Sequence, residues 1–186
     1  ATGEKFIRME MGVPGLAPSR IGTEAEIEAL KHGVAQFYPM LEGYPVLSEE
    51  ASRFVKNFMD VDIRPEGIIP TVGAMQASYV AFMALTECHK GKDTILFIDP
   101  GFPVQKTQLE VIGKPYQTFD IYEYREEKLE AKLREYLDRG NIAGIVYSNP
   151  NNPSWVCLTD FELQVIGKLA TEYDTIILED LAYFAM

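Results

Sequence analysis

The chain has 186 residues, of which 47% are hydrophobic and 24% are charged, and its formal net charge at pH 7 is −11. This composition suits one or two globular domains with a sizeable core, and the surplus of acid argues against non-specific binding to nucleic acid or to an acidic membrane surface. The two cysteines form no CxxC or metal-type spacing, so we expect no metal site. No apolar run is long enough to span a bilayer, and no signal peptide begins the chain. Together with the few cysteines, these features lead us to expect a cytoplasmic protein.

The first third of the chain predicts two helices separated by a loop. The segment TEAEIEALKHGVAQF predicts a helix with a capping box, in which Thr23 and Glu26 satisfy free N–H groups of the first turn. The segment SEEASRFVKNFMD predicts a second helix, with Ser48 as its N-cap and two acids placed favourably against the helix dipole. A stretch rich in Gly and Pro precedes the first helix and predicts extended chain.

After about residue 66, short apolar runs alternate with helix-like stretches. The runs are GIIPTVG, TILFIDPG, PYQTFDI, IAGIVYSNP and TIILED, and the predicted helices are AMQASYVAFMAL, REEKLEAKLREYLDRG and TDFELQVIGKLATEYD. The last of these helices opens with a capping box of Thr159 and Glu162. Because nearly continuous apolar strands alternate with helices, the pattern predicts an α/β fold with three layers, α/β/α, around a mostly parallel sheet.

Unusual residues follow the carboxyl ends of these runs, where an open parallel sheet binds its ligands. The first full strand ends at Asp99 and is soon followed by Phe102, the strand through Tyr147 leads into SNPNNPSW, and the last strand ends at Asp180. The run before Thr71 leads into a helix start, where free N–H groups and the helix dipole favour a phosphate. Each signal alone is explained by an ordinary turn, by packing or by a solvated acid, but together they offer an anion site, a ring, an amide and a carboxylate.

Six segments in a fixed order carry a family resemblance along nearly the whole chain: GVPGLAP, YPMLEGYPVL, TVGAMQA, DPGFP, NPNNPS and EDLAYF. They are similar to the G-x-P, Y-x-x-x-x-G-x-x-x-L, phosphate-turn, P-x-aromatic, N-P-x-N-P-T-G and D-x-A-Y segments of the class I/II aminotransferases, which are pyridoxal-phosphate (PLP) enzymes of fold type I. The resemblance implies an N-terminal segment on the substrate side at residues 1–37. It also implies that residues 38–186 form an incomplete PLP-binding large domain.

The resemblance implies a role for each matched residue around the cofactor ring. Asp180 would pair with the pyridine nitrogen and keep it protonated, which makes the ring an electron sink. Phe102 would stack on the face of the ring. Asn152 and Tyr183 would bind the phenolic oxygen.

The resemblance also implies contacts with the phosphate and with the substrate. The backbone N–H groups of Ala74 and Met75 would bind the phosphate. Tyr38 would reach the phosphate of a neighbouring subunit, which implies a homodimer with shared sites. Gly12 would lie near the substrate carboxylate.

The sequence departs from the family pattern at three places. Ser154 and Trp155 replace the usual Thr-Gly, and Trp cannot adopt the positive φ of a glycine without strain. We therefore expect either a rerouted loop or a position that does not need glycine here. Met75 brings no polar side chain to the phosphate, and Phe102 preserves stacking but lacks the polar group of Tyr or Trp.

The Schiff-base lysine of the family follows the D-x-A-Y strand, so we expect it beyond Met186, and no lysine of this chain matches it by order. The resemblance thus implies the N-terminal part of an aminotransferase that moves an amino group between an amino acid and a 2-oxo acid, with this chain inactive alone. Alternatives are a C–S or decarboxylating lyase of the same fold and a non-catalytic binding module derived from it. A generic nucleotide-binding domain is disfavoured because no Gly-rich fingerprint is present.

Overall fold

The computed structural model describes residues 3, 5, 7 and 15–184. The chain falls into two compact units that divide between Pro70 and Thr71. The division between residues 37 and 38 that the resemblance implies concerns the complete fold and stays a prediction. Of the helices in the described ranges, none is long and apolar enough to cross a membrane.

The first unit contains two α-helices, α1 (Arg20–Lys31) and α2 (Pro45–Met59). Both begin earlier than the sequence predicts. The Ser19 hydroxyl accepts a backbone N–H of the first turn of α1 at 3.4 Å, so the predicted capping box of Thr23 with Glu26 is wrong. The second helix starts at Pro45, because the fixed φ of proline suits the first helical position. Ser48 is therefore not an N-cap but a buried residue of the first turn.

The second unit alternates helices with parallel strands, as the sequence predicts. In chain order its elements are α3 (Gly73–Cys88), β1 (Thr94–Asp99), α4 (Pro103–Val111), β2 (Tyr116–Asp120), α5 (Glu127–Leu137), β3 (Ile142–Ser148), α6 (Asp160–Glu172) and β4 (Ile176–Asp180). The sheet order is β2-β1-β3-β4, and every pair of neighbours is parallel.

Helices cover both faces of this sheet, which explains why its strands are apolar nearly throughout. On β1, Ile95 and Phe97 pack into one buried cluster with residues of α3 and α4. The alternate residues Leu96 and Ile98 pack into a second cluster with residues of α5 and α6, since successive side chains of a strand point to opposite faces. The predicted three-layer α/β/α architecture is confirmed in this unit.

Two features of the second unit differ from the sequence-based expectation. The helix α4 was not predicted, because only Gln105 and Leu109 of its nine residues are buried and the apolar period is too weak to recognise. The run before Thr71 was expected to end a strand, but residues 68–71 form no strand. The start of α3 therefore follows irregular chain instead of a strand end.

An ion pair between the buried Glu162 and the partly exposed Arg125 joins the start of α6 to the chain before α5. Both carboxylate oxygens of Glu162, which is 0% exposed, accept hydrogen bonds from the Arg125 guanidinium. The same carboxylate accepts the backbone N–H of Glu126 at 3.0 Å and that of Thr159 at 2.9 Å, which completes the predicted capping box. Burial raises the pKa of Glu162, but these hydrogen bonds outweigh it and the pKa lies below the ordinary value.

We expect Glu162→Gln to lower the free energy of unfolding by about 2 kcal/mol at pH 7, because the change removes the charged acceptor of four hydrogen bonds while the remaining Arg125 charge stays partly accessible to water. A depressed folded-state pKa gives stability that is present above the unfolded pKa and lost as the pH falls through the folded one. The difference between wild type and variant should therefore shrink with falling pH. Urea unfolding at a series of pH values measures it. Asp160→Asn, at an exposed acid of the same turn, is the control, and equal losses in the two variants would contradict the assignment.

Candidate functional site

A cleft opens at the carboxyl edge of the parallel sheet within the second unit. Its walls come from the ends of β3 and β4, the chain that follows each of them, and the first turns of α3 and α4. The structure brings together in this cleft six of the residues to which the sequence analysis gave cofactor roles: Ala74, Met75, Phe102, Asn152, Asp180 and Tyr183. What each of them binds stays a prediction.

Asp180 presents the carboxylate of the cleft. It is the last residue of β4, and in the parallel register it pairs with Ser148 at the end of β3. Its Oδ2 accepts a hydrogen bond from Gln105 Nε2 at 2.9 Å, and its Oδ1 accepts the Ala182 N–H at 3.0 Å. No Lys or Arg of the described residues forms an ion pair with it. The cleft thus holds an oriented negative charge that could pair with a cationic group.

The neighbouring acid, Glu179, has a different environment. Alternate residues of a strand face opposite sides, and Glu179 does not line the cleft. Its carboxylate accepts a hydrogen bond from Asn149 Nδ2 at 3.3 Å. Burial raises the pKa of Glu179, against the smaller opposing effect of that bond. Burial, together with the nearby Glu179, also raises the pKa of Tyr147.

The loop NPNNPSW after β3 is held by one buried side chain. Asn151 is 7% exposed, and its Nδ2 donates to the Pro100 carbonyl at 2.6 Å and to Ser148 Oγ at 3.0 Å. Its Oδ1 accepts from the Ser154 hydroxyl at 2.6 Å. Asn151 thus bonds polar groups within the loop and ties the loop to the chain after β1. Its neighbour Asn152 is the loop residue that lines the cleft.

Asn152 and Tyr183 form the polar pair of the cleft. The Asn152 Nδ2 donates to the Tyr183 hydroxyl at 3.0 Å. The phenol oxygen accepts in this bond, so its own O–H remains able to donate to a ligand. An amide and a phenol in contact are suited to bind a single oxygen atom that carries partial negative charge.

Backbone donors are available at the start of α3. Among the described residues, the N–H groups of Ala74 and Met75 have no acceptor, whereas the two N–H groups before them are already satisfied. The chain enters the helix through Gly73 at φ +76°, a conformation that side chains with a Cβ rarely adopt. Free N–H groups at the positive end of a helix dipole form a site for an anionic group such as a phosphate.

The sequence analysis missed the polar residues that α4 brings to the cleft. Gln105 and Gln108 both line it, and Gln108 Nε2 donates to the Met75 carbonyl at 2.8 Å while its Oε1 accepts from Ser78 Oγ at 2.8 Å. This bridge joins the first turn of α3 to α4. The sequence signal that could have predicted α4 was Pro103, because proline is favoured at the first position of a helix.

Two residues with predicted roles lie elsewhere in the chain. Tyr38 belongs to the first unit and is 98% exposed. Gly12 lies outside the described residues. The role of each stays a prediction.

Trp155 adopts the left-handed conformation that glycine usually provides at this position. Its φ is +57°, and its N–H donates to the Asn151 carbonyl at 2.8 Å. Trp155 therefore carries the strain of a left-handed backbone conformation. Its ring, which is 65% exposed, lies against the ring of Tyr183 with centroids 5.5 Å apart.

We expect Trp155→Gly to be more stable than Trp155→Ala by about 1 kcal/mol, because only the alanine keeps a Cβ in a left-handed conformation. Both changes remove the indole, so the difference between their free energies of unfolding reports the cost of the backbone conformation. The order is the reverse of that at an ordinary position, where glycine is less stable than alanine because its unfolded chain has more freedom. Chemical unfolding of the two variants measures the difference. An alanine variant at least as stable as the glycine variant would show that the positive φ is not retained.

The chain matches the model of the family "Aminotransferase class I and II" over residues 4–186. It is 30% identical over 183 residues to an aspartate aminotransferase of Pyrococcus horikoshii, covering 97% of this chain and 45% of that protein. It is 24% identical to an asparagine–oxo-acid transaminase of Streptococcus mutans, covering 98% of this chain and 46% of the relative.

Solved structures show the same likeness. An alanine aminotransferase from Pyrococcus furiosus superposes with a TM-score of 0.85 at 27% identity, over 99% of this chain and 47% of that one. A double mutant of an aspartate aminotransferase from Thermus thermophilus superposes with a TM-score of 0.77 at 22% identity, over 91% of this chain and 44% of that one, and shows the fold alone. The chain spans less than half the length of these relatives.

Proposed function

The chain belongs to the class I and II aminotransferase family, and from this premise we propose that it supplies the cofactor contacts of a PLP-dependent aminotransferase. The reaction would move an amino group from an amino acid to a 2-oxo acid. The observation that carries the proposal is the Asp180 carboxylate, oriented by two donors and without a cationic partner among the described residues, in a cleft that also holds free backbone N–H groups.

The residues of the cleft fit the chemical groups of PLP. A protonated pyridine nitrogen needs an anionic partner, which Asp180 offers. A phosphate needs N–H donors, which Ala74 and Met75 offer at the start of α3. The phenolic oxygen needs donors, and the contact between Asn152 and Tyr183 offers an amide and a hydroxyl side by side.

Each residue would contribute by holding a group or a proton in place. Bound PLP supplies an electron sink for the electrons released when a proton leaves the substrate Cα. Asp180 would hold the proton on the ring nitrogen, and this proton makes the sink effective. Phe102, half-buried at the start of α4, would contact the ring face and exclude water from that side.

The proposal extends to parts of the enzyme that the cleft does not contain. The lysine that carries the cofactor would follow Met186, and Gly12 would lie near the substrate carboxylate. Tyr38 would complete the phosphate site of a second subunit in a cytoplasmic homodimer. The donor amino acid is not part of the proposal.

The test uses the complete polypeptide. We expect it to bind PLP in a one-to-one ratio, and borohydride reduction should fix the cofactor on one lysine that peptide mapping places after residue 186. Addition of an amino acid without a 2-oxo acid should convert the cofactor to its amine form. A labelled lysine within residues 1–186, or the absence of binding, would overturn the proposal.

We expect Asp180→Asn to lower kcat by about 10²- to 10³-fold, the loss typical of one preorganised electrostatic contact. An amide cannot pair as an anion with the protonated ring nitrogen, so the electron sink weakens. Steady-state kinetics with saturating PLP measure the effect. Glu179→Gln is the matched control, because this acid neighbours Asp180 but does not line the cleft. Near-full turnover in Asp180→Asn with loss in Glu179→Gln would show that the acids are wrongly assigned.

A further inference from the structure

We propose that Gln105 is a positioning residue, which fixes the Asp180 carboxylate and thereby keeps the proton of the facing pyridine nitrogen on the ring. This inference rests on the proposed function. Its first support is the contact itself: Gln105 Nε2 lies 2.9 Å from Asp180 Oδ2. Gln105 is 7% exposed, so little water competes for this bond.

The second support is that the two oxygens of the carboxylate accept from different donors. Gln105 Nε2 donates to Oδ2 and the Ala182 N–H donates to Oδ1, so each oxygen of Asp180 has one fixed donor. An ionised carboxylate has about four acceptor positions. Two donors from the protein therefore fix the plane of the group and leave acceptor capacity for a cationic N–H in the cleft.

The third support is the position of Gln105 on α4. It lies three residues after Phe102, and its backbone N–H donates to the Phe102 carbonyl at 3.3 Å. The helix is anchored by the fully buried Leu109 and by the bond from Gln108 to the Met75 carbonyl. One rigid turn thus carries both the aromatic residue of the cleft and the donor to its acid.

The chemistry explains why a neutral donor matters here. A hydrogen bond to the ionised form of an acid favours that form. Without the Gln105 donor, Asp180 would become a stronger base towards a proton shared with a ring nitrogen. The proton would then move from the nitrogen towards the carboxylate, and the ring would lose the charge that makes it an electron sink. A glutamine has no titratable proton, so its donor is present at every pH at which the protein is folded.

The test uses the complete polypeptide loaded with PLP that carries ¹⁵N at the ring nitrogen. The ¹⁵N chemical shift reports directly whether this nitrogen is protonated. If Gln105 had only a structural role, its replacement would not change this shift. We expect Gln105→Leu to move the shift towards that of an unprotonated nitrogen and to weaken PLP binding by about tenfold, as for loss of one hydrogen bond to a charged group. Gln105→Met, which keeps the length and flexibility of the side chain, is made in parallel in case the branched leucine impairs folding.

The matched control is Gln164→Leu, the same change at an exposed position of α6 away from the cleft, and it should retain the wild-type shift and affinity. A wild-type shift in the folded Gln105 variants would overturn this inference while leaving the proposed function intact, even if their stability falls. Failure of the wild-type polypeptide to bind PLP would overturn both.

Discussion

The parallel pairing of β3 with β4 is the constraint on which the candidate site depends. It sets Ser148 opposite Asp180, and so brings the carboxyl ends of two strands to the same height on the sheet edge. The chain after β3 contributes Asn152, and the chain after β4 contributes Tyr183, whose hydroxyl Asn152 reaches. Because every side chain of a strand changes face when the register shifts by one residue, a slip would exchange Asp180 for Glu179 in the cleft. The buried clusters on the two faces of the sheet prevent that slip.

A second layer of polar contacts converts this alignment into a defined geometry. Asn151 ties the loop after β3 to the chain after β1, and Gln108 ties the start of α3 to α4. Neither residue needs to touch a ligand in order to matter, since each holds the backbone of a segment that does. The cleft is therefore built from four separate segments that hydrogen bonds connect, which is how groups far apart in the chain can be held within tenths of an ångström.

The sequence was sufficient for features that depend on strong local patterns. The strands of the second unit, α5 with its leucine period and the capping box of Thr159 were predicted correctly, and the motifs gave a family that the comparisons confirm. The capping box of Thr23 was wrong because several residues near a helix start offer equivalent caps, and the choice between them depends on how the chain enters the helix. Gln105 was missed because its partner lies 75 residues away. No spacing rule predicts a contact that only the assembled sheet creates.

The position of the Trp155 ring makes the site accessible to fluorescence measurements. It is the only tryptophan among these 186 residues, and its ring rests on Tyr183 at the wall of the cleft. The residue that carries the backbone strain of the loop is thus also the one strong fluorophore of this half of the fold. The emission of an indole depends on the packing and polarity around it. Within these residues, intrinsic tryptophan fluorescence therefore reports on the wall of the cleft without an added label.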